Sequence, residues 1–117
     1  MLRSGLIAGA LCLALTAGAA ASEPCRASWY ERGKVTASGE PFRPDALTCA
    51  RPSFRFGHQP YRVRVTRLSN GRSVVCRVND RGPAKWTGKC IDLSRGAARE
   101  LGMIRAGVAR VRVEVVR

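Results

Sequence analysis

The chain has 117 residues and pairs 21 Lys and Arg with only 8 Asp and Glu, a formal charge of +13. That length leaves room for one domain. The charge is nearly all arginine and is spread along the chain, which suits attraction to anionic cell-envelope polymers, and no recognisable nucleic-acid module supports a nucleic-acid partner.

Residues 1–21 read as a secretory signal peptide, with Arg3 as the positive n-region, an apolar run from Leu6 to Thr16 too short to span a bilayer, and cleavage after Ala21. The domain is then 22–117. Cys12 sits inside the apolar run and Cys25 follows Ser22-Glu23-Pro24, so neither fits a lipobox. The expectation is a soluble, monomeric protein, periplasmic or secreted, with no transmembrane segment after cleavage. Cys25, Cys49, Cys76 and Cys90 remain, and an even number in an exported chain favours two disulfides with three possible pairings. Metal binding is not expected, because the cysteines are widely spaced, no C-x-x-C occurs and His58 is the single histidine.

Short strand-like runs between Gly, Pro and Asn turns predict an all-β barrel. Tyr61–Leu68 alternates, with Tyr61, Val63 and Val65 on one face and Arg62 and Arg64 on the other. Asn70-Gly71 signals a tight turn, and Ser73–Asn79 returns antiparallel, delivering Asp80 to a break at Gly82-Pro83. Ser94–Leu101 opens with a capping serine and ends before Gly102, which suits a short helix. Ala109–Val116 alternates again as the closing strand.

Asn79-Asp80-Arg81-Gly82-Pro83, Ser38-Gly39-Glu40-Pro41-Phe42 and Ile91-Asp92-Leu93-Ser94 stand out together. With Ala27-Ser28-Trp29-Tyr30 as an opening strand and Ala46–Ala50 as a central turn, they resemble the rare lipoprotein A family, and the resemblance runs from about Ala27 to Val116. It implies a six-stranded double-psi β-barrel with one or two short helices, and cleavage of peptidoglycan glycan strands by a lytic transglycosylase. It implies Asp80 as general acid/base, Glu40 as its electrostatic partner, and no cofactor. Arg81, Arg51, Trp86, Tyr30 and Asn79 are candidate substrate contacts. Asp92 matches a position taken as structural, a hydrogen-bonding partner at the helix start. Arg51 stands where the family carries histidine, and the alternative is an expansin-like module that binds cell-wall glycan without cutting it.

Overall fold

In the computed structural model, which describes residues 24–117, six strands close into a barrel in the order β1-β5-β2-β4-β3-β6. They are β1 (Cys25–Tyr30), β2 (Thr48–Arg51), β3 (Tyr61–Arg67), β4 (Ser73–Arg81), β5 (Lys89–Ser94) and β6 (Ala109–Val115), with one α-helix, α1 (Arg95–Glu100), and a 3-10 turn at Lys85–Thr87. The signal peptide expected at 1–21 lies outside the described residues.

The β3–β4 hairpin follows its period-two pattern: Val63 and Val65 are fully buried, while Arg62 and Arg64 are exposed. They pair across the ladder with Cys76 and Val74, so that one face of the hairpin is continuous core. Gly71 takes φ 74° at the predicted turn, a conformation open to glycine at little cost, and the Asn70 side chain accepts from Arg72 N at 3.0 Å.

Two parallel pairs, β1 with β5 and β2 with β4, carry the rest of the barrel. Residues 46–50, expected as a turn, contain a strand: Thr48, Cys49 and Ala50 are all buried, so β2 shows no alternation for a sequence pattern to reveal. Asp92, expected at the helix start, lies inside β5, and the helix cap is Ser94. Ser94 is fully buried and makes three bonds through one oxygen: it accepts from Ala97 N at 3.1 Å and Thr48 N at 3.4 Å, and donates to Ala46 O at 2.6 Å. The next turn of α1 packs so tightly that a Cβ on Gly96 would collide with the Asp45 carbonyl. Ala97, Ala98 and Leu101 complete the core with Ile91, Leu93, Met103 and Val111.

Two disulfides were expected and one forms, Cys25–Cys90, which ties β1 to β5. Cys49 and Cys76 are buried free thiols with their sulfurs 2.9 Å apart. Cys49 registers with Val78 rather than Cys76, so the two thiols meet diagonally across the β2–β4 ladder as hydrogen-bonded neighbours. Burial pushes the Cys49 thiol well above its ordinary value.

Replacing Ser94 by Ala removes the cap from the buried Ala97 N–H and the hydroxyl's bond to Ala46 O, while Thr48 N keeps Ala46 O at 3.1 Å. Chemical denaturation of Ser94→Ala is expected to show a loss of about 2 kcal/mol.

Candidate active site

Asp80 is half-buried near the end of β4, where the turn at 36–40 is pinned by a bond from Ser38 N to Asn79 O of 3.0 Å. Three donors converge on its carboxylate. Oδ1 accepts from Ala37 N and from Arg81 N, each at 2.9 Å, and Oδ2 accepts from the Tyr30 hydroxyl at 3.2 Å. Tyr30 is fixed in turn by stacking on Phe42, with ring centroids 4.7 Å apart and planes within 14°. Burial first, and then Asp80, push the Tyr30 phenol far above its ordinary value, so it stays a donor. The candidate contacts Tyr30 and Arg81 therefore both touch the acid itself, the first by its hydroxyl and the second by its backbone N–H.

A second carboxylate, Asp92, is linked to Asp80 through the strand ladders: Ser28 pairs with Asp92, Asp92 with Ala50 and Ala50 with Asp80, and the register shifts between Cys49 and Ala50. Asp92 is half-buried and accepts from the Ser28 hydroxyl at 3.1 Å. Burial is the main force raising its carboxyl above the ordinary carboxylate value, Asp80 adds to it, and Ser28 and Lys89 oppose it. Sequence reasoning left this residue out of the site, although its place between buried Ile91 and Leu93 puts it on the opposite side of a strand from the core.

Glu40 ends the 36–40 turn that also bonds Asp80 through Ala37 N. Its carboxylate binds Arg77 at 2.7 Å and Asn79 Nδ2 at 3.0 Å on β4, and shares none of Asp80's partners. Hydrogen bonds from Arg77 and Asn79 hold Glu40 below its ordinary value, which keeps it ionised. Beside it lies a cavity of about 230 Å³ lined by Glu40, Arg43, Thr48, Arg77 and Asn79 among others. Thr48 Oγ1 and Asn79 Oδ1 are buried without a protein partner in the residues that line it.

A larger and more basic cavity, about 490 Å³, opens between Pro52 and the Arg81–Lys85 segment. Trp86 beside it is 88% exposed, a free aromatic face on a 3-10 turn. Arg51 instead turns to the Tyr61 hydroxyl, at 3.3 Å, and His58 is exposed in its loop. Among the described residues no group of three or more His, Cys, Asp or Glu is placed to hold a metal ion.

A closed six-stranded barrel with two parallel strand pairs, β1–β5 and β2–β4, is a double-psi β-barrel. The chain belongs to the lytic transglycolase family, whose sequence profile matches residues 22–113. It is 57% identical over 95 residues to a probable endolytic peptidoglycan transglycosylase RlpA of Nostoc sp., covering 77% of this chain and 24% of that protein. Against the endolytic peptidoglycan transglycosylase RlpA of Vibrio cholerae it is 42% identical over 98 residues, 81% of this chain and 36% of the relative. The chain thus spans about a quarter to a third of the length of these relatives. Among solved structures, a Streptomyces papain inhibitor shares the fold with TM-score 0.68 at 23% identity, over 82% of this chain and 94% of that one. An expansin of Clavibacter michiganensis gives TM-score 0.62 at 23% identity, over 82% of this chain and 50% of its own.

The raised Asp92 carboxyl fixes a sign. The folded state holds this proton more tightly than the unfolded chain does, so the contribution to stability is full below the unfolded carboxylate value and is lost as pH rises through the folded one. Asp92→Asn, which keeps an oxygen for Ser28, is expected to melt higher than wild type at neutral pH, with the difference shrinking as the pH is lowered past the ordinary carboxylate range. Melting curves at several pH values check it.

Proposed function

We propose that this chain is an exported, soluble peptidoglycan lytic transglycosylase that cuts the glycan strand between N-acetylmuramic acid and N-acetylglucosamine and leaves anhydro-muramic ends. The observation that carries the reading is the Asp80 carboxylate, held by three donors on a rigid strand end while remaining half-exposed at the cleft. Membership of the family and the printed activity of the RlpA relatives supply the substrate class.

The chemistry needs no activated water. The C6 hydroxyl of the muramic residue attacks its own anomeric carbon as the bond to the leaving oxygen breaks, and one proton moves from the C6 hydroxyl to the leaving group overall. Asp80 serves as the acid–base group, one carboxyl acting in both directions. Glu40, kept ionised by Arg77 and Asn79, supplies fixed negative charge toward the oxocarbenium-like transition state. Trp86 offers a sugar-stacking face, and Arg81 and Lys85 line a basic cavity suited to the muramic carboxylate or to other anionic envelope polymers. Asn79 orients the Glu40 carboxylate through its Nδ2 and lines the cavity beside it. Tyr30 acts through Asp80, whose carboxylate it orients.

A binding module that grips glycan without cutting it is the second reading, favoured by the likeness of the barrel to an expansin. Digestion of peptide-stripped peptidoglycan, followed by mass spectrometry, separates the two. Wild type is expected to release anhydro-muramic products and Asp80→Asn to lose at least about 10²-fold in rate while keeping its circular dichroism spectrum. Co-sedimentation of both proteins with glycan, without products from either, would favour the binding module.

A further inference from the structure

One side of the barrel takes no part in the candidate site. In the closed order β1-β5-β2-β4-β3-β6, β6 lies three strands from β2 in either direction, so the side centred on β6 faces away from the strand that joins Asp80 and Asp92. The strands β3, β6 and β1 carry six arginines, Arg26, Arg62, Arg64, Arg67, Arg110 and Arg112, and one acid, Glu114. Strand alternation sorts them. Val63, Val65 and Val111 turn into the core, while Arg26, Arg62, Arg64, Arg110, Arg112 and Glu114 are all exposed on the outside. Arg67 instead reaches the carbonyls of Leu101 and Gly102.

We propose that this outer β3–β6–β1 face docks the protein on an anionic phospholipid surface and leaves the cleft side turned away from it. The antiparallel ladders bring the charges together in unbroken register: Arg26 pairs with Arg110, Thr66 with Arg112, Arg64 with Glu114, and Arg62 with Arg77 of β4. Alternate residues of one strand lie roughly 7 Å apart and neighbouring strands roughly 4.8 Å apart, so the arginines form a close two-dimensional array. Like charges set directly opposite one another disfavour the sheet, as at Arg26 and Arg110, and Glu114 offsets only part of the excess. A layer of phosphate groups relieves that repulsion, and the planar arginine fork matches the geometry of phosphate oxygens.

Apolar side chains at the ends of the same strands select a lipid surface over a dissolved polyanion. Val115, the last residue of β6, is 48% exposed, and Leu68, just past β3, and Val108, just before β6, are each 39% exposed. Leu68 N donates to Arg110 O at 3.0 Å, which sets that leucine directly beside the arginine array. Binding to a membrane surface scales with buried apolar area plus attraction to anionic headgroups, and this face offers both. A phosphate polymer in solution would use the arginines alone. Docking calls on none of the groups around Asp80, so it stands apart from the lytic reading.

Sedimentation with vesicles tests this, using the chain that begins at Ser22, the product expected from leader cleavage, so that the apolar run from Leu6 to Thr16 cannot itself bind lipid. The protein is expected to pellet with vesicles of phosphatidylglycerol and phosphatidylcholine, to stay in solution with phosphatidylcholine alone, and to come off as salt rises from about 0.05 to about 0.5 M. Arg62→Gln/Arg64→Gln is expected to bind about 25-fold more weakly, roughly fivefold for each charge removed, with an unchanged circular dichroism spectrum. Arg110→Gln, on the next strand, should repeat the loss singly at about fivefold. Arg81→Gln/Lys85→Gln removes the same charge from the cleft side and should leave vesicle binding nearly unchanged. Leu68→Ser/Val108→Ser should weaken vesicle binding and keep full retention on immobilised inorganic polyphosphate. Equal losses from the two basic pairs would overturn the assignment to this face. Vesicle binding indifferent to the Leu68 and Val108 changes would overturn the lipid occupant in favour of a dissolved polyanion, and no binding to anionic vesicles at low salt would overturn the docking itself.

Discussion

Four residues, Thr48–Arg51, pair parallel with β4 on one side and antiparallel with β5 on the other, and the candidate site depends on that double pairing. Without β2 in the middle, Asp80 and Asp92 would belong to strands with no shared neighbour. With it, buried Ala50 is the ladder partner of both. The same strand is held in place from below by Ser94, whose buried hydroxyl bonds Thr48 N and Ala46 O while capping α1. Helix start, central strand and acid pair are therefore one packed unit, and the precision of the site derives from the core rather than from the loops.

Charge is distributed to match. The basic side chains Arg95 and Arg99 are tied up with Asp45 and Glu31 on the α1 side, and Arg77 neutralises Glu40, whereas Arg81 and Lys85 face an open cavity next to the cleft. In a barrel with so large a positive excess, Asp80 and Asp92 are held by hydroxyls and backbone N–H groups rather than by arginine side chains.

Much of the fold was legible from the sequence, and what was legible follows a physical pattern. The hairpin and β6 alternate because one of their faces meets solvent, and Asn70-Gly71 marks its own turn. β2 and β5 were missed or misplaced: β2 is buried on both faces and reads as a featureless short run, and β5 is too close to the helix cap for its last residues to look like a strand. The place of Asp80 at a strand end was legible from its motif, whereas that of Asp92 inside β5 was not. Glu40 was expected as the partner of Asp80, and its carboxylate is held by Arg77 and Asn79 rather than by Asp80's own donors. The cysteine count suggested a second disulfide, and Cys49 and Cys76 instead lie as neighbouring buried thiols, brought together by the β2–β4 register.

A crystal structure of the Asp80→Asn protein with a bound peptide-free glycan tetramer would test the central claim most directly. The account predicts a glycosidic oxygen within about 3 Å of the side chain at position 80, with a sugar ring running toward Trp86. A glycan bound with the side chain at position 80 left untouched would contradict it.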